Sequence, residues 1–97
     1  MNYNNKFSLK GKKAIILGGA GLIGSQVTLA FAQLGADVLI LDINKEKGNS
    51  YKNDLQNKGY SVDFNSLDLT DVNKLEKNFS EILTFFKKVD VFVNCSY

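Results

Sequence analysis

The segment Gly18-Gly19-Ala20-Gly21-Leu22-Ile23-Gly24 holds the residues whose types and spacing point most directly to chemistry. It reads as GxGxxG through Gly19, Gly21 and Gly24, and as GxxGxxG through Gly18, Gly21 and Gly24. Both registers meet the same physical demand. The chain must turn sharply out of a strand, which favours a residue tolerant of positive φ. A pyrophosphate must then approach the backbone where a Cβ would clash, and Gly24 must let the next helix pack closely. The N–H groups and dipole at that helix start, around Leu22 and Ile23, attract the phosphates. Eighteen residues beyond Gly24, Asp42 occupies the expected place for an acid that accepts hydrogen bonds from a ribose. The chemistry implied is the holding of a dinucleotide. The plainer alternative is a tight turn followed by a surface carboxylate.

Asp42 also bears on cofactor type. A carboxylate there repels a ribose 2′-phosphate, and sites for that phosphate usually supply Arg, which this chain lacks. Ala20, Ile43 and Asn44 add no positive charge, and Lys45 belongs to the following helix. NAD(H) is therefore expected over NADP(H).

The surrounding pattern supplies elements able to position these residues. Ala14 to Leu17 and Val38 to Leu41 are short apolar runs, suited to strands buried on both faces. Ile23, Val27, Ala30 and Leu34 recur at helical spacing, with Gly35 as a stop. Residues 45–58 suit a second helix with Gly48, Tyr51 and Leu55 on one side, closed by Gly59. Tyr60 to Leu67 reads as a third strand. Thr70 or Asp71 can cap a helix over 71–88, whose stripe is Val72, Leu75, Phe79, Ile82 and Phe86. Val89 to Val93 is a fourth strand. The order β-α-β-α-β-α-β means a parallel α/β sheet. Right-handed crossovers give strand order 3-2-1-4, a partial doubly wound arrangement with helix 71–88 on the opposite face. Val91 and Val93 are then expected to be exposed beside an open fourth-strand edge, an oligomerisation hazard.

Composition narrows the function classes. The 97 residues suit part or all of one α/β domain, with 1–9 as a flexible arm. Twelve scattered Lys against ten acids give a net charge of only +2, so no nucleic-acid patch is indicated. No His and one Cys exclude a Ser-His-Asp triad, a Cys-His pair, any zinc site with His or several Cys ligands and a disulfide framework. The lone Cys95 fits a reducing cytoplasm. Lysines before the apolar run 14–24 give a rough secretory-signal pattern, but its glycines suit a helical signal core poorly. The run is also far shorter than the roughly 20 residues of a membrane span.

From Leu9 to Ser96 the residues resemble the short-chain dehydrogenases/reductases, a Rossmann-type family. Leu9-Lys10-Gly11-Lys12-Lys13 is similar to that family's lead-in to its first strand, and Gly18 to Gly24 to its glycine loop. Phe31 to Val38 resembles its helix-to-strand passage. Asp68-Leu69-Thr70 follows the third strand, where the family commonly carries an acid contacting adenine. The resemblance implies that Asp68 accepts from the adenine amino group and that the Leu69 backbone meets the ring edge. Asp90 to Asn94 resembles the fourth strand and the start of an Asn-Asn-Ala-Gly segment. Cys95, Ser96 and Tyr97 stand where Asn, Ala and Gly are usual. The expected cofactor-contacting residues are Gly18, Gly21, Leu22, Ile23, Gly24, Asp42, Ile43, Asp68, Leu69, Asn94 and Cys95.

The family's chemistry uses a Tyr with a Lys four residues on, and a Ser that orients the substrate carbonyl. Tyr3, Tyr51 and Tyr60 are followed at that distance by Phe7, Leu55 and Phe64. Members run to about 250 residues, a common size for an α/β fold. The resemblance thus implies the N-terminal, NAD-binding half of a homo-oligomeric oxidoreductase acting on a small carbonyl or alcohol, inactive as 97 residues alone. Two alternatives stay open. The Gly18, Gly21, Gly24 spacing also looks like the extended epimerases and dehydratases of nucleotide sugars, whereas Val93-Asn94 looks like the single-domain dehydrogenases. A nucleotide-binding fragment without redox chemistry is the other.

Overall fold

The apolar runs form the centre of a four-stranded parallel sheet because each is covered on both faces. The computed structural model describes residues 8–67, 76, 77, 80–82, 84 and 88–96. Its strands are β1 (Lys13–Leu17), β2 (Asp37–Asp42), β3 (Val62–Ser66) and β4 (Val91–Asn94). Their spatial order is β3-β2-β1-β4, as the crossover rule requires. Helix α1 (Leu22–Gln33) joins β1 to β2, and α2 (Lys45–Asn57) joins β2 to β3. Leu17 is level with both Leu41 and Asn94, so the strand ends carrying Gly18, Asp42 and Cys95 lie side by side.

Alternation along the strands divides the core. Ala14, Ile16, Val38, Ile40 and Val62 pack with Ala32, Ala36 and Leu55 on the α1 and α2 side. Ile15, Leu17, Leu39 and Leu41 pack with Leu67 and Ile82 on the other. Residues 76, 77, 80–82 and 84 are helical, and Ile82 is fully buried against that second face. Lys88, the expected last residue of helix 71–88, is not helical, and the rest of that helix, with its Thr70 or Asp71 cap, lies outside the described residues.

Two expectations are corrected. The fully buried residues of helix α1 are Gly24, Thr28 and Ala32. Of the expected stripe, Val27 packs partly buried against the core and Leu34 is half-buried, while Ile23 and Ala30 are exposed. Ile23 is 63% exposed. The helix lies so close to the turn before it that only small side chains fit between, and the Thr28 hydroxyl donates to Gly19 O at 3.3 Å. Apolar spacing located the helix but not its buried face. The second correction concerns β4. Val91 and Val93 pack, partly buried, on the α1 side, while Phe92 is 48% exposed. Phe92 pairs in register with Ile15, which places it on the opposite face.

Polar pairs join the strands at their N-terminal ends. Lys13 Nζ donates to Asp37 Oδ2 at 2.7 Å, across β1 and β2. Lys13 N donates to Asp90 Oδ2 at 2.8 Å, and Asp90 N donates back to Lys13 O at 2.9 Å, fastening the start of β4 to β1.

Candidate functional site

The turn leaving β1 shows why its glycines are needed. Gly18 has φ +76, a left-handed conformation that L side chains rarely adopt. A Cβ there would also lie 2.9 Å from Ser96 N, so the end of β4 comes directly against the loop. At Gly24 a Cβ would overlap the carbonyl of Gly18. The loop folds back on the first turn of α1, and Gly21 N donates to Gly18 O at 3.1 Å. Gly19 is enclosed by Ile40, Ile16 and Thr28. Both glycine registers are therefore used, each position for its own steric reason.

Helices α1 and α2 begin differently. In α2, Asn44 is the N-cap, its Oδ1 accepts from Lys47 N at 3.0 Å, and Glu46 lies in the first turn. In α1 the N-cap is Gly21, with no side-chain cap and no acid in the first turn. The opening N–H groups of a helix have no partner within it. Those of α1 thus face the loop with the positive end of the dipole, with no side-chain cap and no first-turn acid to meet them. Leu22 and Ile23, in that turn, are 88% and 63% exposed.

Asp42 stands across from this turn at the end of β2. Its Oδ2 accepts from Ala20 N at 3.2 Å and its Oδ1 from Asn44 N at 3.0 Å. The carboxylate therefore braces the glycine loop. Each oxygen keeps a further lone pair for a ligand hydroxyl.

Beside these groups lies a cleft of about 230 Å³ lined by Gly18, Gly21, Leu22, Ile23, Asp42, Cys95 and Ser96. Six of the eleven residues expected from the sequence thus meet in one place. Gly24 lies buried beneath the loop. Ile43 follows Asp42, 62% exposed and outside the lining. Asn94 is exposed at the end of β4, and its Oδ1 accepts from both Ser96 N (3.0 Å) and Ser96 Oγ (2.8 Å). Cys95 lines the cleft while packing partly on the core. Asp68 and Leu69 lie outside the described residues. A larger groove of about 810 Å³ borders the loop between α1 and α2. Its lining carries Glu46 and Asp54 against the one cation Lys47.

Sequence reasoning missed Ala20, whose backbone N–H meets Asp42, and gave Ser96 no polar role. Ala20 acts through its backbone, so its side chain carries no signal. Ser96 becomes informative only once β4 is seen against Gly18. Among the described residues no cluster of three or more metal-ligating side chains occurs, and no helix is long and apolar enough to cross a membrane.

The family model for short chain dehydrogenases matches residues 12–96. The chain belongs to this family. It is 34% identical over 87 residues to the short chain dehydrogenase/reductase dpfgG of Gibberella zeae, covering 90% of this chain and 32% of that protein. Over 87 residues it is 36% identical to a D-xylose 1-dehydrogenase of Caulobacter vibrioides, covering 90% and 34% of the two chains. The crystal structure of a hydroxysteroid dehydrogenase from Escherichia coli superposes with a TM-score of 0.83 at 32% identity, covering 96% of this chain and 39% of that one. The chain thus spans about a third of the length of the curated relatives it matches. Membership of the short-chain dehydrogenases makes the sheet a Rossmann-type sheet and implies a nicotinamide dinucleotide as cofactor.

Proposed function

We propose that this chain is the NAD(H)-binding part of a dehydrogenase that moves a hydride between nicotinamide and a small carbonyl or alcohol substrate. The observation that carries the reading is the uncapped start of α1, facing a glycine loop with no room for side chains. On this reading the Gly18–Gly24 backbone holds the pyrophosphate. Asp42 accepts from the adenosine ribose, with Ile43 beside it at the rim. Asp68 and Leu69 meet the adenine, and Asn94 and Cys95 border the cofactor from β4. The cofactor supplies the hydride. These residues bind and orient it, and the acid/base pair belongs to chain beyond this portion. The relatives named for D-xylose and for hydroxysteroids support a carbonyl or alcohol substrate. The reading includes a homo-oligomeric protein of the cytoplasm, where the lone Cys95 fits a reducing compartment.

The preference for NAD(H) rests on Asp42. Its oxygens already accept from two backbone N–H groups, so its charge is held at the cleft, against a 2′-phosphate. Calorimetric titration should show tighter binding of NADH than of NADPH. Asp42→Ala should weaken NADH by about 10-fold or more, the size of a lost charged hydrogen bond, and narrow the ratio between the two cofactors. Wild-type chain binding NADPH as tightly as NADH would sink the preference.

A further inference from the structure

The end of β4 departs from its family's usual sequence at Ser96, and the structure gives that residue a defined hydrogen-bonding state. Ser96 lines the same cleft as Gly18, Gly21 and Asp42. Its backbone N lies 2.9 Å from where a Gly18 Cβ would stand, so it is held at the wall formed by the glycine loop. Asn94 Oδ1 accepts from Ser96 N at 3.0 Å and from Ser96 Oγ at 2.8 Å. A serine hydroxyl has one proton to donate and two lone pairs. Here the proton is committed to Asn94, which leaves the oxygen as an acceptor at the cleft.

The bound molecule must then bring a donor. The phosphates of a dinucleotide accept and do not donate. Its donors are the ribose hydroxyls and, further out, the amino groups of the rings. The uncapped start of α1 lines the same cleft and suits the pyrophosphate, from which the ribose hydroxyls are only a few bonds away.

We propose that the Ser96 hydroxyl accepts a hydrogen bond from a ribose hydroxyl of the bound dinucleotide, and that Asn94 is the positioning residue that holds it in that state. This rests on the NAD(H) reading above. An Ala at position 96 keeps the turn's backbone bond to Asn94 and loses the acceptor. Ser96→Thr keeps the hydroxyl.

The test is calorimetric titration of NADH into the chain as wild type, Ser96→Ala and Ser96→Thr, with thermal melts of each. Ser96→Ala should bind about 3- to 10-fold more weakly at an unchanged melting temperature, and Ser96→Thr should stay within about 2-fold of wild type. Equal affinity of Ser96→Ala and wild type would overturn the proposal. So would a loss shared by both variants, or one matched by a fall in melting temperature, since each marks a purely structural role. If folded wild-type chain binds no NADH, the NAD(H) reading itself fails, and that outcome is distinct from a serine that makes no difference.

Discussion

Gly24 separates two opposite expectations for a glycine in a helix. At an open helical position, Gly→Ala gains up to about 1 kcal/mol from helix propensity. At Gly24 the new Cβ would overlap the Gly18 carbonyl, with the Gly18 carbonyl carbon only 2.7 Å away. Neither neighbour is a flexible side-chain end, so the loop itself must move. Gly24→Ala should therefore destabilise by about 1–3 kcal/mol, the usual cost of overpacking, as a lower urea midpoint. A raised midpoint would show that the loop and α1 do not approach this closely. The glycines and Asp42 were legible in the sequence because their roles depend on residue type: a missing Cβ, a positive φ, a carboxylate at a strand end. Ala20 and Ser96 were not, because one acts through a backbone N–H and the other through the tertiary approach of β4.

At the scale of elements, the strands were legible because apolar runs are needed wherever both faces are covered. The buried face of α1 was not. The large residues Leu22 and Ile23 begin the helix on its exposed side, and its fully buried positions are Gly24, Thr28 and Ala32, with Val27, Leu29 and Phe31 only partly buried against the core. Close packing here selects for smallness, which a search for apolar spacing cannot detect. The N-terminal ends of the strands give an acid-sensitive feature. The Asp37 carboxyl lies below its ordinary 3.8 chiefly because Lys13 donates to it. The Asp90 carboxyl is likewise lowered, chiefly by the Lys13 backbone N–H. A carboxyl depressed in the folded state adds stability that is fully present above its unfolded value and is lost as pH falls through its folded value. The melting temperature should thus hold down to about pH 5 and drop as the pH falls below about 4. Asp37→Asn with Asp90→Asn should flatten that drop. An equally steep acid loss in the double variant would assign it to other carboxylates.

In the molecule as a whole, strand order places the cleft where a doubly wound sheet binds its ligands. The chain leaves β1 towards β2 on one side and returns to β4 on the other, so a crevice opens beyond their C-terminal ends. Gly18, Asp42 and Ser96 stand 54 or fewer residues apart between neighbours in sequence, yet line one cleft because Leu17, Leu41 and Asn94 are level in register. That order was legible from alternation and crossover handedness. The orientation of β4 was not, because a shift of one residue exchanges the faces and Val91, Phe92 and Val93 are all apolar. On the proposed reading this cleft holds the pyrophosphate and ribose of NAD(H). The most direct test is an amide nitrogen–proton NMR spectrum of labelled chain recorded during titration with NAD⁺. Saturable shifts should concentrate at Gly18, Gly21, Leu22, Ile23, Gly24 and Ser96. Shifts confined to the groove between α1 and α2, or no shifts from a folded chain, would contradict it.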